Sequence, residues 1–297
     1  MTQPDVYLLG RSKAEELRLK RQIADLAPLS DPQLAAVGIR AGERVLDLGC
    51  GPGGVLHLLG KRVGPTGYVL GLDRSPHFVG FARRFAADLG LTQDEVREGD
   101  AYDTGLPRAS FDGAHMRLVL VNVPKPELIV REMVSLVRPG GWVASFEADL
   151  EAAVLDPPSA EFDRLRRAYF ENARSQGIDL FVGRRTHRLF REAGLTDIAV
   201  DVAIQSYPPG HSRRPTFRDF IINVRDQLIA GDFISAEDLE RDLSAYERQL
   251  ADPYVVATSS LYFRLHGRVP AQSRAEKFPQ DRLASRLPGL EGELAKG

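Results

Sequence analysis

The stretch "RVLDLGCGPGG", residues 44–54, reads as a buried β-strand that carries a carboxylate, Asp47, at its end and runs into a glycine-rich turn. Gly49, Gly51 and Gly54 satisfy G-x-G-x-x-G after a strand, the pattern of a dinucleotide site, where free backbone N–H groups and a helix N-terminus receive a pyrophosphate. Two residues resist that reading. Asp47 puts a negative charge just before the first glycine, and Pro52 removes one N–H from the turn. The same features suit a ligand that is cationic where a dinucleotide is anionic. A carboxylate accepts from an ammonium, and glycines let the backbone approach a nucleoside closely.

Downstream, apolar or β-branched runs alternate with helical patterns to about residue 147, the order of a parallel sheet with crossover helices. Strands are expected at "RVLDLG", "YVLGLD", "EVREGD", "FDGAHMRLVLV" and "WVASFEA". The first three end in or beside an acidic residue. In open α/β sheets ligands lie outside the carboxyl ends of the strands, so these carboxylates belong to one crevice. Helical spacing marks "PGGVLHLLGKRVG", "SPHFVGFARRFAADLG" and "PKPELIVREMVSLVRPGG", with Ser75 as an N-cap before Pro76 and Pro139-Gly140-Gly141 as a tight turn into the fifth strand. Past residue 147 we read an amphipathic helix at 159–176, a crossover helix in "VGRRTHRLFREAG" and a strand in "DIAVDVAIQSY". A charged helical stretch over 208–252 and a last strand in "YVVATSSLYFRLHGRV" follow.

Hydrophobic residues make up 43% of the 297, enough for a substantial core. Lys and Arg total 39 against 41 Asp and Glu, and a formal net charge of −2 gives no global attraction to nucleic acid or an anionic membrane. A single cysteine cannot form an internal disulfide, "MTQPDVYLLG" lacks the features of a secretory signal, and no apolar run approaches the roughly 20 residues of a spanning helix. The expected compartment is the cytoplasm. The six histidines, at 57, 77, 115, 187, 211 and 266, have no metal-ligand spacing, so no protein-bound metal is expected.

S-adenosylmethionine (SAM) has the required chemistry, with an ammonium and a sulfonium in its methionine half and no phosphate. With the composite D-x-G-x-G-x-G from Asp47 to Gly53, the chain resembles the class I SAM-dependent methyltransferases over roughly residues 40–150. The match runs through "VLDLGCGPGG", Asp73 in "GLDRSP", Asp100 in "GDAYDTGLP", "FDGAHMRLVLVNV" and "VRPGG". The leader "YLLGRSKAEELRLKRQ" is similar to that of a bacterial subgroup containing small-molecule methyltransferases of secondary metabolism. The resemblance implies a doubly wound, mostly parallel, Rossmann-like α/β sheet of seven strands, with helices on both faces and a helical lid insertion. It assigns the cofactor to Asp47, Leu48, Gly49, Gly51 and Gly53, to Asp73 with Arg74, to Asp100 with Ala101, and to Arg117 with Leu118. Asp73 would take both ribose hydroxyls and Asp100 the adenine amino group. Residues 1–35 are then a helical cover, 36–207 the SAM-binding core with a lid segment at about 150–182, and 208–252 the lid insertion. Residues 253–270 form the last strand and 271–297 a polar tail.

Methyl transfer is an in-line displacement whose positively charged sulfur leaves readily, so positioning supplies much of the rate and a base is needed only for some acceptors. Glu147, with Asp149 in "SFEADLEA", is expected to leave the fifth strand toward the crevice and to serve as the acid-base residue. A salt bridge to a nearby arginine is its alternative role, and His211 and His115 are secondary candidates. Cys50, between two glycines, is read as packing. "DPPS" at 156–159 resembles the D-P-P-aromatic tetrapeptide of methyltransferases that modify amino groups, but it follows the fifth strand and lacks the aromatic, so it reads as a stiffened loop. "RRAYF", "GRRTHR" and "HSRRPTFR" read as solvated basic faces. Phe162, Tyr169, Phe170, Phe181, Phe217, Phe220 and Phe233 are expected to supply a mostly apolar pocket for a drug-sized metabolite. The expected partner is a small-molecule acceptor, with no nucleic acid and no membrane, and the reading allows a homodimer. Competing functions are a non-methylating reaction such as cyclisation that retains the cofactor, an NAD(P)-dependent oxidoreductase, and a binding module. Quenching of Trp142 by each nucleotide is the expected discriminator for the oxidoreductase.

Overall fold

The computed structural model describes residues 13–91 and 94–271. At its centre β1 (Arg44–Leu48) is buried from Val45 onward, as a strand covered on both faces must be. It pairs in parallel with β2 (Tyr68–Asp73) and β4 (Phe111–Arg117), placing Asp47 opposite Gly71 and His115. β3 (Asp94–Glu98) lies outside β2, and β5 (Val137–Asp149) outside β4, all parallel. β9 (Leu261–Arg268) is antiparallel between β5 and β7 (Thr196–Ala203), so the seven strands run β3-β2-β1-β4-β5-β9-β7. A short ladder joins β6 (Leu155–Asp156) to β8 (Val256–Ala257). The strand order reverses between β1 and β4, which sets the crevice of the sheet at the carboxyl ends of those two strands.

The helices are α1 (Lys13–Val37), α2 (Leu56–Val63), α3 (Pro76–Asp88), α4 (Pro126–Leu136), α5 (Ala160–Ser175) and α6 (Val182–Glu192). α7 (Thr216–Asn223), α8 (Arg225–Ala230) and α9 (Ala236–Ala251) follow and resolve the charged stretch 208–252 into three helices between β7 and β9. α2 buries Leu56, Leu59 and Val63, and α4 buries Ile129, Val130, Met133 and Leu136, both at helical spacing against the sheet. Ser75 caps α3 as expected: its Oγ accepts from the Phe78 N–H at 3.4 Å, with Pro76 at the first helical position. Pro139-Gly140-Gly141 departs from expectation. β5 already begins at Val137, which pairs with Phe111, and an irregularity before the Gly113–Trp142 pair absorbs the extra residues.

Side-chain bonds tie the outer layers to the sheet and to each other. Gln33 of α1 donates through Nε2 to the carbonyls of Ser145 (2.8 Å) and Leu265 (3.0 Å) on β5 and β9. α5 and α9 are joined by the fully buried Asp242, which accepts from Arg164 Nε and Nη2 at 2.7 and 2.8 Å. Past Ala271 the expected polar tail lies outside the described residues, as do residues 1–12 of the N-terminal cover. Among the described residues no helix is long and apolar enough to cross a membrane.

Candidate active site

After β1 the chain turns through Gly49 and Gly51 at φ +69° and +54°, a region that side-chain-bearing residues rarely occupy. A Cβ on Gly49 would lie 2.6 Å from Val119 Cγ2, so this glycine lets the loop pack on the turn after β4. A Cβ on Gly51 would meet nothing within 4 Å, because that residue faces the open space of a large cavity. The loop's donors are largely occupied. Gly49 and Cys50 donate to the Leu72 carbonyl (2.7 and 3.1 Å), Gly51 to Asp73 Oδ2 (2.9 Å) and Gly53 to the Cys50 carbonyl (3.2 Å), while Pro52 has no N–H. A pyrophosphate here would meet few free N–H groups and two carboxylates, so the dinucleotide alternative fails on geometry as well as on charge.

Asp47 is 2% exposed, with Oδ1 2.9 Å from His115 Nδ1 and Oδ2 buried without a partner among the described residues. A buried polar atom left unsatisfied costs about 1–3 kcal/mol. This oxygen belongs to a residue on the cavity wall, so the site lacks a donor that a cationic ligand can bring. Asp73 closes β2 on the same wall, its Oδ1 held by the Ser75 N–H at 2.9 Å. Asp100 Oδ1 accepts from the Tyr102 N–H at 2.9 Å, a turn that sets Ala101 and Tyr102 on the wall. Arg74, Arg117 and Leu118 line the cavity too. Leu118 holds φ +56°, backbone strain in a residue with a side chain, fixed by its N–H bond to the Phe146 carbonyl at 2.8 Å. Leu48 and Gly53 are not on the wall. Leu48 is fully buried in the core, and a Cβ on Gly53 would sit 2.7 Å from Phe85 Cδ1, so that glycine serves the packing of α3.

Strand alternation moves Glu147 away from its expected place. Ala148 lines the cavity, so its neighbours Glu147 and Asp149 point to the other face of β5. Glu147 is fully buried; Oε1 accepts from the N–H groups of Val119 and Leu120, both at 3.0 Å, and Oε2 from Val121 at 3.2 Å. It caps the 3₁₀ turn Leu120–Asn122, does not line the cavity where a base was expected, and has no ion pair among the described residues. Burial pushes its carboxyl up to about 8, against the opposing pull of those three N–H groups. Asp149 grips Arg184, which also reaches Glu151 at 2.6 Å. His115 is sealed against Asp47, and His211 accepts from the Arg213 N–H at 3.1 Å outside this cavity. Trp142 is buried at the far end of β5, its Nε1 donating to Glu43 Oε2 at 3.0 Å, and is a poor reporter of nucleotide binding. Cys50 packs against Gly71, and burial raises its thiol well above the ordinary value. In "DPPS", Ser159 caps α5 by accepting from the Phe162 N–H at 3.1 Å.

Beyond the glycine loop the cavity continues beneath α5, α7 and α9. Phe162, Tyr169, Phe217, Phe220 and Tyr246 form an aromatic wall, Phe162 lying 5.2 Å from Phe217 and 5.3 Å from Tyr246 between ring centroids. Phe170, Phe181 and Phe233 pack behind it against the core. The sequence reading missed a polar group on this wall, Tyr207, Arg213 and Tyr262. "HSRRPTFR" is not a solvated face: Arg213 and Arg214 are both buried. Arg214 donates to the carbonyls of Leu250 (2.6 Å), Val255 (2.8 Å), Asp252 (3.2 Å) and Tyr207, stapling the segment after β7 to the end of α9. The two arginines lie in a turn after Pro-Pro-Gly, where reasoning about helix faces does not apply.

A family model described as "Methyltransferase domain" matches residues 39–194. A demethylmenaquinone methyltransferase of Halalkalibacterium halodurans is 31% identical over 182 residues, 55% of this chain and 72% of that protein. An uncharacterized 37.1 kDa protein of a Streptomyces fradiae transposon is 36% identical over 162 residues, 54% of this chain and 46% of its own length, so the chain spans about half of that relative. The crystal structure of a protein described as a methyltransferase from Bacillus halodurans superposes with a TM-score of 0.57 at 16% identity, covering 80% of this chain and 97% of that one. Strand order, the carboxylates at the strand ends and the family match converge: the chain belongs to the methyltransferase family, with the Rossmann-like fold of the class I SAM-dependent enzymes.

Proposed function

We propose that the chain transfers a methyl group from SAM to an oxygen, nitrogen or carbon of a small organic acceptor. One observation carries the reading: a single cavity holds the unsatisfied Asp47 oxygen and the open face of Gly51 at one end, and an aromatic wall at the other. A relative named demethylmenaquinone methyltransferase supports a small-molecule acceptor. Asp47 Oδ2 would accept from the cofactor's ammonium, Asp73 from the ribose hydroxyls, and Asp100 beside Ala101 from the adenine amino group. When bound, SAM supplies an electrophilic methyl on a positively charged sulfur. The chain's own contribution is to orient both molecules and to exclude water between the sheet and α5, α7 and α9, which act as the lid. Glu147 serves as a positioning cap for the turn that follows β4. The single, buried Cys50 is in keeping with a cytoplasmic setting.

Incubation with methyl-labelled SAM and a metabolite extract tests the proposal. Label appearing in a small molecule supports it. Tight binding of S-adenosylhomocysteine (SAH) with no label transferred would point to a non-methylating reaction.

A further inference from the structure

Arg213 is a buried cation that has no counter-charge among the described residues. It is 6% exposed on the cavity wall, in the turn between β7 and α7. Its Nε donates to Tyr207 Oη and its Nη2 to Tyr262 Oη, both at 3.1 Å, and the two hydroxyls are 3.3 Å apart. The Tyr207 phenol brings no negative charge, since burial first and the neighbouring Tyr262 second push it well above its ordinary value. Among the described residues no carboxylate pairs with Arg213, and no protein atom accepts from its Nη1. The neighbouring arginines are different. Arg164 and Arg184 each grip a buried aspartate, and Arg214 is satisfied by backbone carbonyls. A buried guanidinium is expensive unless an anion meets it.

A second cation shares the wall. Arg117 donates to Ser30 Oγ at 3.1 Å and has no ion pair among the described residues. Burial lowers it to about 10, and it feels both the negative charge of Asp47 and the positive charge of Arg213. The shape of the guanidinium narrows the ligand. Its side-on edge, Nε with Nη2, goes to the two phenols, which leaves the Nη1/Nη2 edge for a planar anion with two oxygens. Tyr262 is fixed on β9 opposite Ala148 of the cavity wall, and the Tyr207 N–H is tied to the Ala257 carbonyl at 2.7 Å, so the fork is held from two sides.

We propose that the acceptor is an aromatic carboxylate, anchored end-on by Arg213 against the aromatic wall. This rests on the methyltransferase reading of the cavity. The test is calorimetry on the full chain preloaded with SAH, using 2-naphthoate and its neutral counterpart 2-naphthamide. Naphthoate is expected to bind at least about tenfold more tightly, as a charge-assisted bidentate contact should. Arg213→Met is expected to abolish that preference with SAH affinity unchanged within about twofold, while Arg213→Lys, a point charge without the fork, keeps only part of it. Equal affinities, no binding of either compound at millimolar concentration, or a preference that survives Arg213→Met would overturn the proposal. So would a loss of SAH affinity in Arg213→Met with the preference intact, which would assign the arginine to the cofactor's own carboxylate. Should that variant not fold, Tyr262→Phe decides: naphthoate weakens and naphthamide does not, or the proposal is wrong. Failure of SAH to bind the unaltered chain is a separate result, and it would refute the methyltransferase reading itself.

Discussion

Glu147→Gln keeps the shape of a fully buried side chain while it removes an ionisable proton and turns one acceptor into a donor. With the amide oxygen taking the place of Oε1, the N–H groups of Val119 and Leu120 remain satisfied and the amide nitrogen faces the N–H of Val121. A buried donor left unsatisfied costs about 1–3 kcal/mol, so the variant starts less stable by that amount. The second effect depends on pH and has the opposite sign. Burial holds the folded carboxyl at about 8, above its ordinary value in the unfolded chain. The folded state therefore binds the proton more tightly, and stability is fully present below the unfolded pKa and declines as pH rises toward the folded one. At 1.36 kcal/mol per pH unit the decline is worth up to about 5 kcal/mol, and glutamine has no proton to lose. Wild type is thus expected to be the more stable form near pH 5 and the less stable one by pH 8. Urea unfolding followed by circular dichroism at pH 5, 6, 7 and 8 measures the difference. A difference that does not change with pH would refute the burial argument. A variant of unchanged stability and SAH affinity that loses methyl transfer at every pH would make Glu147 catalytic and refute its role as a cap.

Three other substitutions probe the cavity and the sheet. Asp47→Asn should weaken SAH by about tenfold to a hundredfold while adenosine, which has no ammonium, changes by less than about twofold; equal losses for both would deny Asp47 its ammonium. Gly51→Val puts a branched side chain into the open space before the loop, at φ +54°, and is expected to weaken SAH by at least about tenfold. Calorimetry showing undiminished SAH binding would mean that the nucleoside does not approach there. Gly113→Ala places a Cβ 1.9 Å from Trp142 Cε2. About 1–3 kcal/mol or more of overpacking should lower the urea midpoint, with SAH affinity of the folded fraction unchanged.

The cofactor end of the molecule was legible because its signals are local. Asp47, Gly51 and Asp73 lie at the ends of short apolar strands and Asp100 just past the short, charged β3, and the open-sheet rule gathers those strand ends into one crevice. Glu147 was misplaced because nearness to the strand end was weighed without the two-residue alternation that Ala148 sets. The start of β5 was misread for a related reason: glycines that signal a turn are also tolerated in an irregular strand opening, where Gly140 donates to the Val269 carbonyl at 2.9 Å. The group around Arg213 had no local signal. Tyr262 lies 49 residues beyond Arg213, and Tyr207 lies 55 residues before Tyr262, so only the antiparallel return of β9 beside β5 and β7 brings them together.

The central claim is that the mouth of β1 selects a cationic amino acid nucleoside over a phosphate-bearing one. Parallel calorimetric titrations of the same protein with SAH and with NAD⁺ measure that selection directly. The expected result is saturable SAH binding far tighter than millimolar and no measurable heat from NAD⁺. Saturable NAD⁺ binding with none for SAH would contradict it.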